Sequence, residues 1–250
     1  MSGNTAWEPL RGELARWTAA GRTAAFWWRD DDATEPTDAL DRLLGLANRY
    51  DVPLTLAVVP AKTGPALSQR LANEKHAAVA VHGWAHQNHA PAEEKKQELG
   101  SHRLAEAVLG ELYHGFLNLK QLHETSFVPM LVPPWNRIDD ALIPKLSALG
   151  FESLSTYGQA APDQPIGILN THVDIMDWHG SRGGRPEEEL VAELVAELQN
   201  RFEGSYEPIG LLTHHLVHDA AAWNFCDALF RETAGIKAVA WTPAASLLKT

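Results

Sequence analysis

The sequence contains one cysteine, Cys226, in 250 residues, so an intrachain disulfide is excluded. It also lacks any uninterrupted apolar run that approaches the ~20 residues of a membrane-spanning helix. Its first ten residues do not place a basic segment before an apolar one, the pattern of a secretory signal. We therefore expect a soluble, cytoplasmic protein that has no membrane partner.

Positive charge is scarce as well. Lysine and arginine total 21 against 32 aspartate and glutamate residues, which gives a formal net charge of -11, and no basic cluster is present. A chain this acidic repels phosphate, so nucleic acid is not expected as a partner. The sequence carries no indication of the oligomeric state.

What the chain does have is enough apolar material for a large core, at 45% of residues, arranged as alternating strand and helix patterns. The strand-then-helix order repeats about seven times without a linker, which favours one parallel α/β barrel. We predict a single catalytic domain over residues 1–250, of which 1–22 form an N-terminal helical extension. Predicted strands cover 24–28, 52–59, 77–81, 127–132, 151–155, 167–173, 209–212 and 237–240. Predicted helices include 7–20, 37–50, 92–124 (with a possible break at Gly115), 139–149, 186–202 and 219–232.

Ionisable residues stand where four of these apolar strands end. They are Asp30–Asp32, His82, the pair Asp174 and Asp177, and His214. In a parallel barrel the carboxyl ends of all strands meet at one face, where catalytic groups collect. We therefore expect these side chains to lie together.

The pair His82 and His86 has the spacing of two metal ligands. Residues four apart share one face of a helical turn and can bind one ion. Two histidines and a carboxylate form an open catalytic zinc site. One aspartate of Asp30–Asp32 would be the third ligand, and a neighbour would act as the base on water. The residues alone leave open which aspartate does which.

Taken together and in order, these motifs resemble the polysaccharide deacetylases of the NodB-homology type, carbohydrate esterase family 4. The resemblance extends from about residue 24 to about residue 215. It implies a distorted (β/α)7 barrel. The matching segments are Arg29-Asp30-Asp31-Asp32, His82 to His86, Val132-Pro133-Pro134-Trp135-Asn136, Asp174 to Trp178, and Leu212-Thr213-His214.

The resemblance also implies roles. Asp31 would be the base, Asp32, His82 and His86 the metal ligands, and His214 the general acid. Asp177 would tune the acid histidine, and Pro134, Trp135 and Trp178 would bind substrate. Asp30 with Asp31 remains the alternative register of the first motif, and His215 that of the last.

The third motif departs from the family, because Val132 stands where relatives carry an arginine that steadies the base. Arg29 or Arg137 could supply this charge, and the sequence does not decide between them.

The predicted function is removal of acetyl or other acyl groups from N-acetylated or O-acetylated carbohydrate. It would need one divalent metal ion, with zinc favoured and cobalt or nickel as alternatives. One competing hypothesis is a hydrolase of small amides or other C–N bonds on the same fold, in keeping with the predicted cytoplasmic location. Another is a binding protein that keeps the fold without the activity, supported by the missing arginine.

Overall fold

A parallel sheet forms the centre of the protein, whose computed structural model describes residues 5–204 and 207–249. The first four residues of the predicted N-terminal extension lie outside the described residues. The strands are β1 (Ala24–Ala33), β2 (Leu54–Val58), β3 (Ala77–His82), β4 (Phe127–Val132), β5 (Ser153–Leu154), β6 (Gly167–Ile168), β7 (Val173–Asp174), β8 (Ile209–Thr213) and β9 (Val239–Trp241). The α-helices are α1 (Glu8–Ala19), α2 (Asp38–Tyr50), α3 (Pro65–Leu71), α4 (Ala105–Leu122), α5 (Glu187–Glu203), α6 (Ala220–Thr233) and α7 (Ala244–Leu247).

The strand order is that of a curled α/β half-barrel. Eight strands follow the path β6-β5-β4-β3-β2-β1-β8-β7, and β9 pairs with the beginning of β1. Every pairing between these strands is parallel. The predicted class, a parallel α/β barrel of the NodB type, is confirmed. All strands therefore end at one face, and the polar residues that follow them are brought together there.

Side chains of β1 alternate between two apolar cores. Phe26 and Trp28 belong to the large core between the sheet and the helices. Trp27 belongs to a smaller cluster with residues of the neighbouring strands, such as Ala57 and Ala80, which lies inside the curled sheet. Successive strand residues point to opposite faces. Continued along β1, the alternation places Arg29 and Asp31 on the interior face and Asp30 on the helix face.

The predicted helix over 92–124 is wrong over residues 92–104. Helix α4 begins at Ala105 and continues through Gly115 without a break. A Cβ at Gly115 would lie 2.8 Å from Pro60, so this glycine permits close packing. Residues 92–104 form a loop instead, pinned by a bridge between Leu99 and Ile138.

Other elements differ mainly in extent. The predicted helix 139–149 is a shorter 3₁₀ helix, Ile143–Leu149. The predicted strand 167–173 is divided into β6 and β7. Helix α1 packs on α5 and buries Trp17 in the large core. Within the described residues, the helices are all too short or too polar to cross a bilayer.

Candidate active site

Asp32, His82 and His86 form a cluster at the carboxyl ends of β1 and β3. His82 Nε2 and His86 Nε2 each lie 3.2 Å from Asp32 Oδ1. One ligand atom from each residue lies within 4.8 Å of the others. The aspartate reaches this position because Asp32 has a positive φ of 74°, next to a register shift in the pairing of β1 with β2. The irregularity turns Asp32 toward the same site as Asp31, against the strict alternation of a strand.

The predicted helical turn between His82 and His86 is wrong. His82 ends β3, and His86 stands in a loop with a φ of 53°. The two rings nevertheless lie 5.2 Å apart. The loop thus brings the two histidines together in place of the predicted (i, i+4) helix geometry.

The donor set fits a divalent metal ion. His82 Nδ1 donates a hydrogen bond of 2.9 Å to the carbonyl of Val132, which leaves Nε2 free to bind. This orientation of a histidine ligand is the usual one in metal sites. Bonds of about 2.0–2.1 Å at tetrahedral angles separate donor atoms by roughly 3.3 Å. The observed 3.2 Å separations from Asp32 match that spacing.

The electrostatics of this cluster follow from burial and mutual contact. Burial raises the pKa of Asp32, but the hydrogen bond and charge of His82 outweigh it and hold that pKa below its ordinary value. Burial lowers the pKa of His82, but Asp32 and Asp31 together raise it by more. The net shift of the His82 pKa is therefore upward. Burial and the neighbouring His82 lower the pKa of His86. Because two imidazoles share one carboxylate, His86 is favoured in its neutral form. A histidine that binds metal must be neutral.

Asp31 is buried and paired with Arg29. Arg29 Nε lies 2.9 Å from Asp31 Oδ1, and Arg29 Nη2 donates to Asp31 Oδ2 at 3.0 Å. The guanidinium also donates to Asn136 Oδ1 at 2.6 Å and to Ser155 Oγ at 2.7 Å. Arg137 instead donates to the carbonyl of Lys96 at the surface. Of the two arginines that the sequence left open, Arg29 is the one that contacts Asp31.

Asp30 occupies a different environment on the other face of β1. His215 Nδ1 donates to Asp30 Oδ1 at 2.5 Å, and Thr213 Oγ1 and the His215 N–H donate to Asp30 Oδ2 at 2.6 and 3.0 Å. Burial raises the pKa of Asp30, but the His215 charge and hydrogen bond lower it below its ordinary value. The alternative registers, Asp30 and His215, thus pair with each other away from the metal cluster.

His214 lies at the end of β8, opposite Asp31. Its Nε2 is 4.0 Å from Asp31 Oδ2. The edge of Trp178 packs against its ring with centroids 4.7 Å apart. The geometry brings a carboxylate and an imidazole to two sides of one space beside the metal cluster.

Asp177 does not contact His214, in contrast to the prediction. Its carboxylate accepts hydrogen bonds from the backbone N–H groups of Gly180 and Ser181 in its own turn, and these bonds lower its pKa. Of the two carboxylates in this motif, Asp174 is the one that interacts electrostatically with His214. Burial raises the pKa of Asp174, and the charge of His214 partly offsets this. Asp174 also accepts the indole N–H of Trp178 at 2.8 Å.

The three predicted substrate-binding residues differ in position. Trp178 is 42% exposed, and its ring forms part of the rim beside His214. Trp135 is half-buried against His86, with ring centroids 4.3 Å apart, and has a φ of 55°. Pro134 is buried against Gly83, so its side chain supports the loop and does not face the open site. Left-handed backbone at Trp135 and His86 is the kind of strain that collects at functional sites.

A cleft of about 410 Å³ adjoins this site at the carboxyl ends of β4 to β6. Asn136, which accepts a hydrogen bond from Arg29, forms part of its wall. Its other polar lining is mostly uncharged. The uncharged polar residues are Gln97, Asn136, Thr156, Gln159, Gln164 and Asn170.

Sequence reasoning placed Asp174 at this face without giving it a role, and it missed Glu98. Asp174 stands in the same motif as Asp177, and its position four residues before Trp178 was the hint that its carboxylate could contact that indole. Glu98 is a buried carboxylate beside the His86 loop. It carried no signal, because its segment, Glu-Glu-Lys-Lys-Gln-Glu, has the composition of an exposed helix.

Comparisons with known proteins point to one fold. No family model and no curated protein sequence matches the chain. A protein of Mycobacterium smegmatis described as a polysaccharide deacetylase shares 16% identity at a TM-score of 0.63, over 90% of both chains. The peptidoglycan deacetylase PdaC of Bacillus subtilis shares 14% at 0.58, and a family 4 acetyl xylan esterase of Clostridium thermocellum, solved with a cobalt ion, 14% at 0.53, again over 90% of both chains. The chain therefore has the fold of the polysaccharide deacetylases and family 4 carbohydrate esterases.

Proposed function

We propose that this protein is a metal-dependent hydrolase that removes acyl groups from N-acetylated or O-acetylated carbohydrate. The observation that carries the proposal is the arrangement of Asp31 and His214 beside the cluster Asp32, His82 and His86. A general base, a general acid and a set of metal ligands are the parts that hydrolysis of an amide or ester needs.

Asp32, His82 and His86 would hold the ion, and zinc is the metal that this ligand set favours. When bound, a divalent ion supplies Lewis-acid polarisation of the acyl carbonyl and makes water easier to deprotonate. The orientation of His82 is fixed by its bond to the Val132 carbonyl. The ligands are thereby arranged before the ion arrives.

Asp31 would take the proton from the attacking water. Its carboxylate is buried and held on both oxygens by Arg29, so it has a fixed orientation toward the site. Asp30 cannot share this role, because His215 and Thr213 occupy its oxygens on the opposite face of β1. General-base catalysis by a positioned carboxylate contributes typically about 10²–10⁴-fold.

His214 would donate a proton to the leaving amine or alcohol. Asp174 places negative charge near its ring, and Trp178 packs against it. Asp174 also accepts the indole N–H of Trp178, so it fixes the ring that packs against His214. We assign to Asp174 the role beside His214 that the resemblance assigned to Asp177.

The cleft, where amide and hydroxyl side chains outnumber the two charged residues Arg137 and Asp140, supports a carbohydrate substrate. Amide side chains offer both donors and acceptors, and they match the hydroxyl groups of a sugar without needing a charged partner. The cleft volume of about 410 Å³ is in the range of small-molecule sites. Proteins of similar structure include a peptidoglycan N-acetylglucosamine deacetylase and a family 4 acetyl xylan esterase. The predicted cytoplasmic location stays a prediction.

The test is turnover by protein that has been stripped with a chelator and reloaded with zinc, cobalt or nickel. Acetylated mono- and oligosaccharides should release acetate, and a panel of small amides should not. The His82→Ala variant should bind no metal and release no acetate. Turnover of the amides alone would replace carbohydrate with a small-molecule substrate. Tight glycan binding with no turnover by any metal form would favour a binding protein.

A further inference from the structure

Glu98 is a buried charge outside the set of proposed catalytic residues. It is 1% exposed and lies in the loop that precedes α4. A buried carboxylate is costly unless hydrogen bonds replace its lost hydration. Its partners therefore indicate what it does.

Those partners are backbone N–H groups of the loop that carries His86. The Trp84 N–H donates to Glu98 Oε2 at 3.0 Å, and those of Ala85 and Gln87 donate to Oε1 at 2.9 and 3.0 Å. Converging backbone N–H groups form an anion-binding concavity. Here the anion is part of the chain, and both of its oxygens are occupied by the loop.

Gly83 is matched to this carboxylate. Its φ is 57°, and a Cβ at this position would lie 2.2 Å from Glu98 Oε2 and 2.6 Å from Pro134. The loop can close around Glu98 only because no side chain stands there. His86 is also left-handed, at a φ of 53°, a conformation that is unfavourable for a non-glycine residue.

The segment that carries Glu98 is itself fixed to the loop after β4. The Asp139 N–H donates to the Leu99 carbonyl at 2.8 Å, and Arg137 donates to the Lys96 carbonyl at 2.9 Å. The His89 N–H donates to the Gln97 carbonyl at 3.0 Å, so the chain on the other side of His86 is held as well. Glu98 is therefore a fixed point for the His86 loop.

We infer that Glu98 is a positioning residue for metal binding: its carboxylate holds the Gly83–Gln87 loop in the strained form that brings His86 to Asp32. This rests on the proposed metal site. Glu98 acts through the backbone, since both of its oxygens accept backbone N–H groups. Without Glu98, the left-handed conformation of His86 loses its support. Metal binding must then also order His86, and this ordering cost lowers the metal affinity.

The experiment is the affinity of the folded, metal-free protein for Co²⁺ and Zn²⁺, measured by competition with a chelator. Glu98→Gln replaces one acceptor oxygen by an NH₂ group that faces backbone donors. We expect it to weaken both affinities by about 10–100-fold, the usual effect of losing an outer-shell partner. Glu93→Gln is the matched control, because Glu93 is an exposed carboxylate of the same segment, and its affinity should equal that of the wild type.

Affinities within twofold of wild type in a folded Glu98→Gln protein, with an unchanged Co²⁺ absorption spectrum, would overturn the inference and leave a purely structural glutamate. Hydrogen exchange on the metal-free wild type keeps the test open should the variant not fold. The amides of Trp84, Ala85 and Gln87 should be protected before metal is added, and fast exchange at all three would contradict pre-arrangement by Glu98. Failure of the wild type to bind metal would instead remove the proposed function.

Discussion

Arg29 and Asp31 form a buried ion pair between two residues of the same strand. Arg29 Nε and Asp31 Oδ1 are 2.9 Å apart, and the second guanidinium nitrogen donates to Asp31 Oδ2 at 3.0 Å. Residues two apart on a strand share a face, so the pair needs no partner from another element. It supplies the positive charge that the resemblance places at Val132.

Arg29→Lys should lower kcat about 10–100-fold with the metal content unchanged. A lysine ammonium is a point charge and cannot reproduce the two-point contact of the guanidinium with a carboxylate. Steady-state kinetics and elemental analysis would measure the two effects. Arg137→Lys is the comparison, since Arg137 contacts the carbonyl of Lys96 and not Asp31, and it should lose much less of the rate than Arg29→Lys. A larger loss of rate in the Arg137 variant would reverse the assignment.

Asp31→Asn and Asp30→Asn should separate catalysis from stability. Asp31→Asn removes the proposed base while leaving the metal ligands in place, so kcat should fall about 10²–10⁴-fold with metal retained. Asp30→Asn breaks a buried pair with His215, and the free energy of unfolding should fall by roughly 3–5 kcal/mol.

The measurements for this pair are turnover, metal content and chemical denaturation. Folded Asp30→Asn protein should keep most of its activity. If it were folded, stable and inactive, the base would be Asp30, and the interpretation of β1 would be off by one residue.

Asp174→Asn should reduce kcat about 10–100-fold, because the variant removes a negative charge near the proposed acid and weakens the bond that holds Trp178 against the His214 ring. The fall should be larger for substrates with poor leaving groups, which need the proton most. Asp177→Asn should leave the rate close to wild type, since the Asp177 carboxylate accepts hydrogen bonds from the backbone of its own turn. Equal losses in the two variants would restore Asp177 to the catalytic group.

The stability of the protein should fall below neutral pH through His218. Burial lowers the pKa of His218 from 6.5 to about 4, and its Nε2 accepts the backbone N–H of His214 at 3.2 Å. The unfolded chain binds this proton near pH 6.5 and the folded chain does not. The contribution is therefore fully present above that pH and is lost as the pH falls toward 4, at a total of about 3 kcal/mol.

His218→Asn keeps a neutral acceptor and does not titrate. Denaturation curves between pH 7 and pH 4 should show the wild type losing more stability than this variant as acid is added. Parallel losses across that range would mean that His218 does not drive the pH dependence.

The sequence predicted the fold class and the cluster of ligands because both follow from local rules. Apolar runs define the strands, and parallel strands bring their carboxyl ends to one face. These local rules could not tell which of Asp30, Asp31 and Asp32 takes which role. The pleat that separates Asp30 from Asp31, and the irregularity that turns Asp32, are set by pairing with β2 and β8.

Loops were predicted less well than strands. The segment 92–104 has helical composition, yet burial of Glu98 and the bridge from Leu99 to Ile138 hold it as a loop. These are contacts between residues distant in the sequence, and composition does not report them. The same limit explains the choice of Asp177 over Asp174, since both stand in one short motif and only the fold decides which one faces His214.

The position of Arg29 has a consequence for how this scaffold can change. A protein whose loop both steadies the base and shapes the entrance must satisfy two demands with one set of residues. Here the pleat of β1 steadies the base, and Asn136 adds a single contact from the loop after β4. The rest of that loop holds the Glu98 segment through Arg137 and Asp139, so changes in it should act on the His86 side of the site and leave the orientation of Asp31 intact. A loop exchange on this scaffold would therefore alter metal affinity before it alters the proposed base.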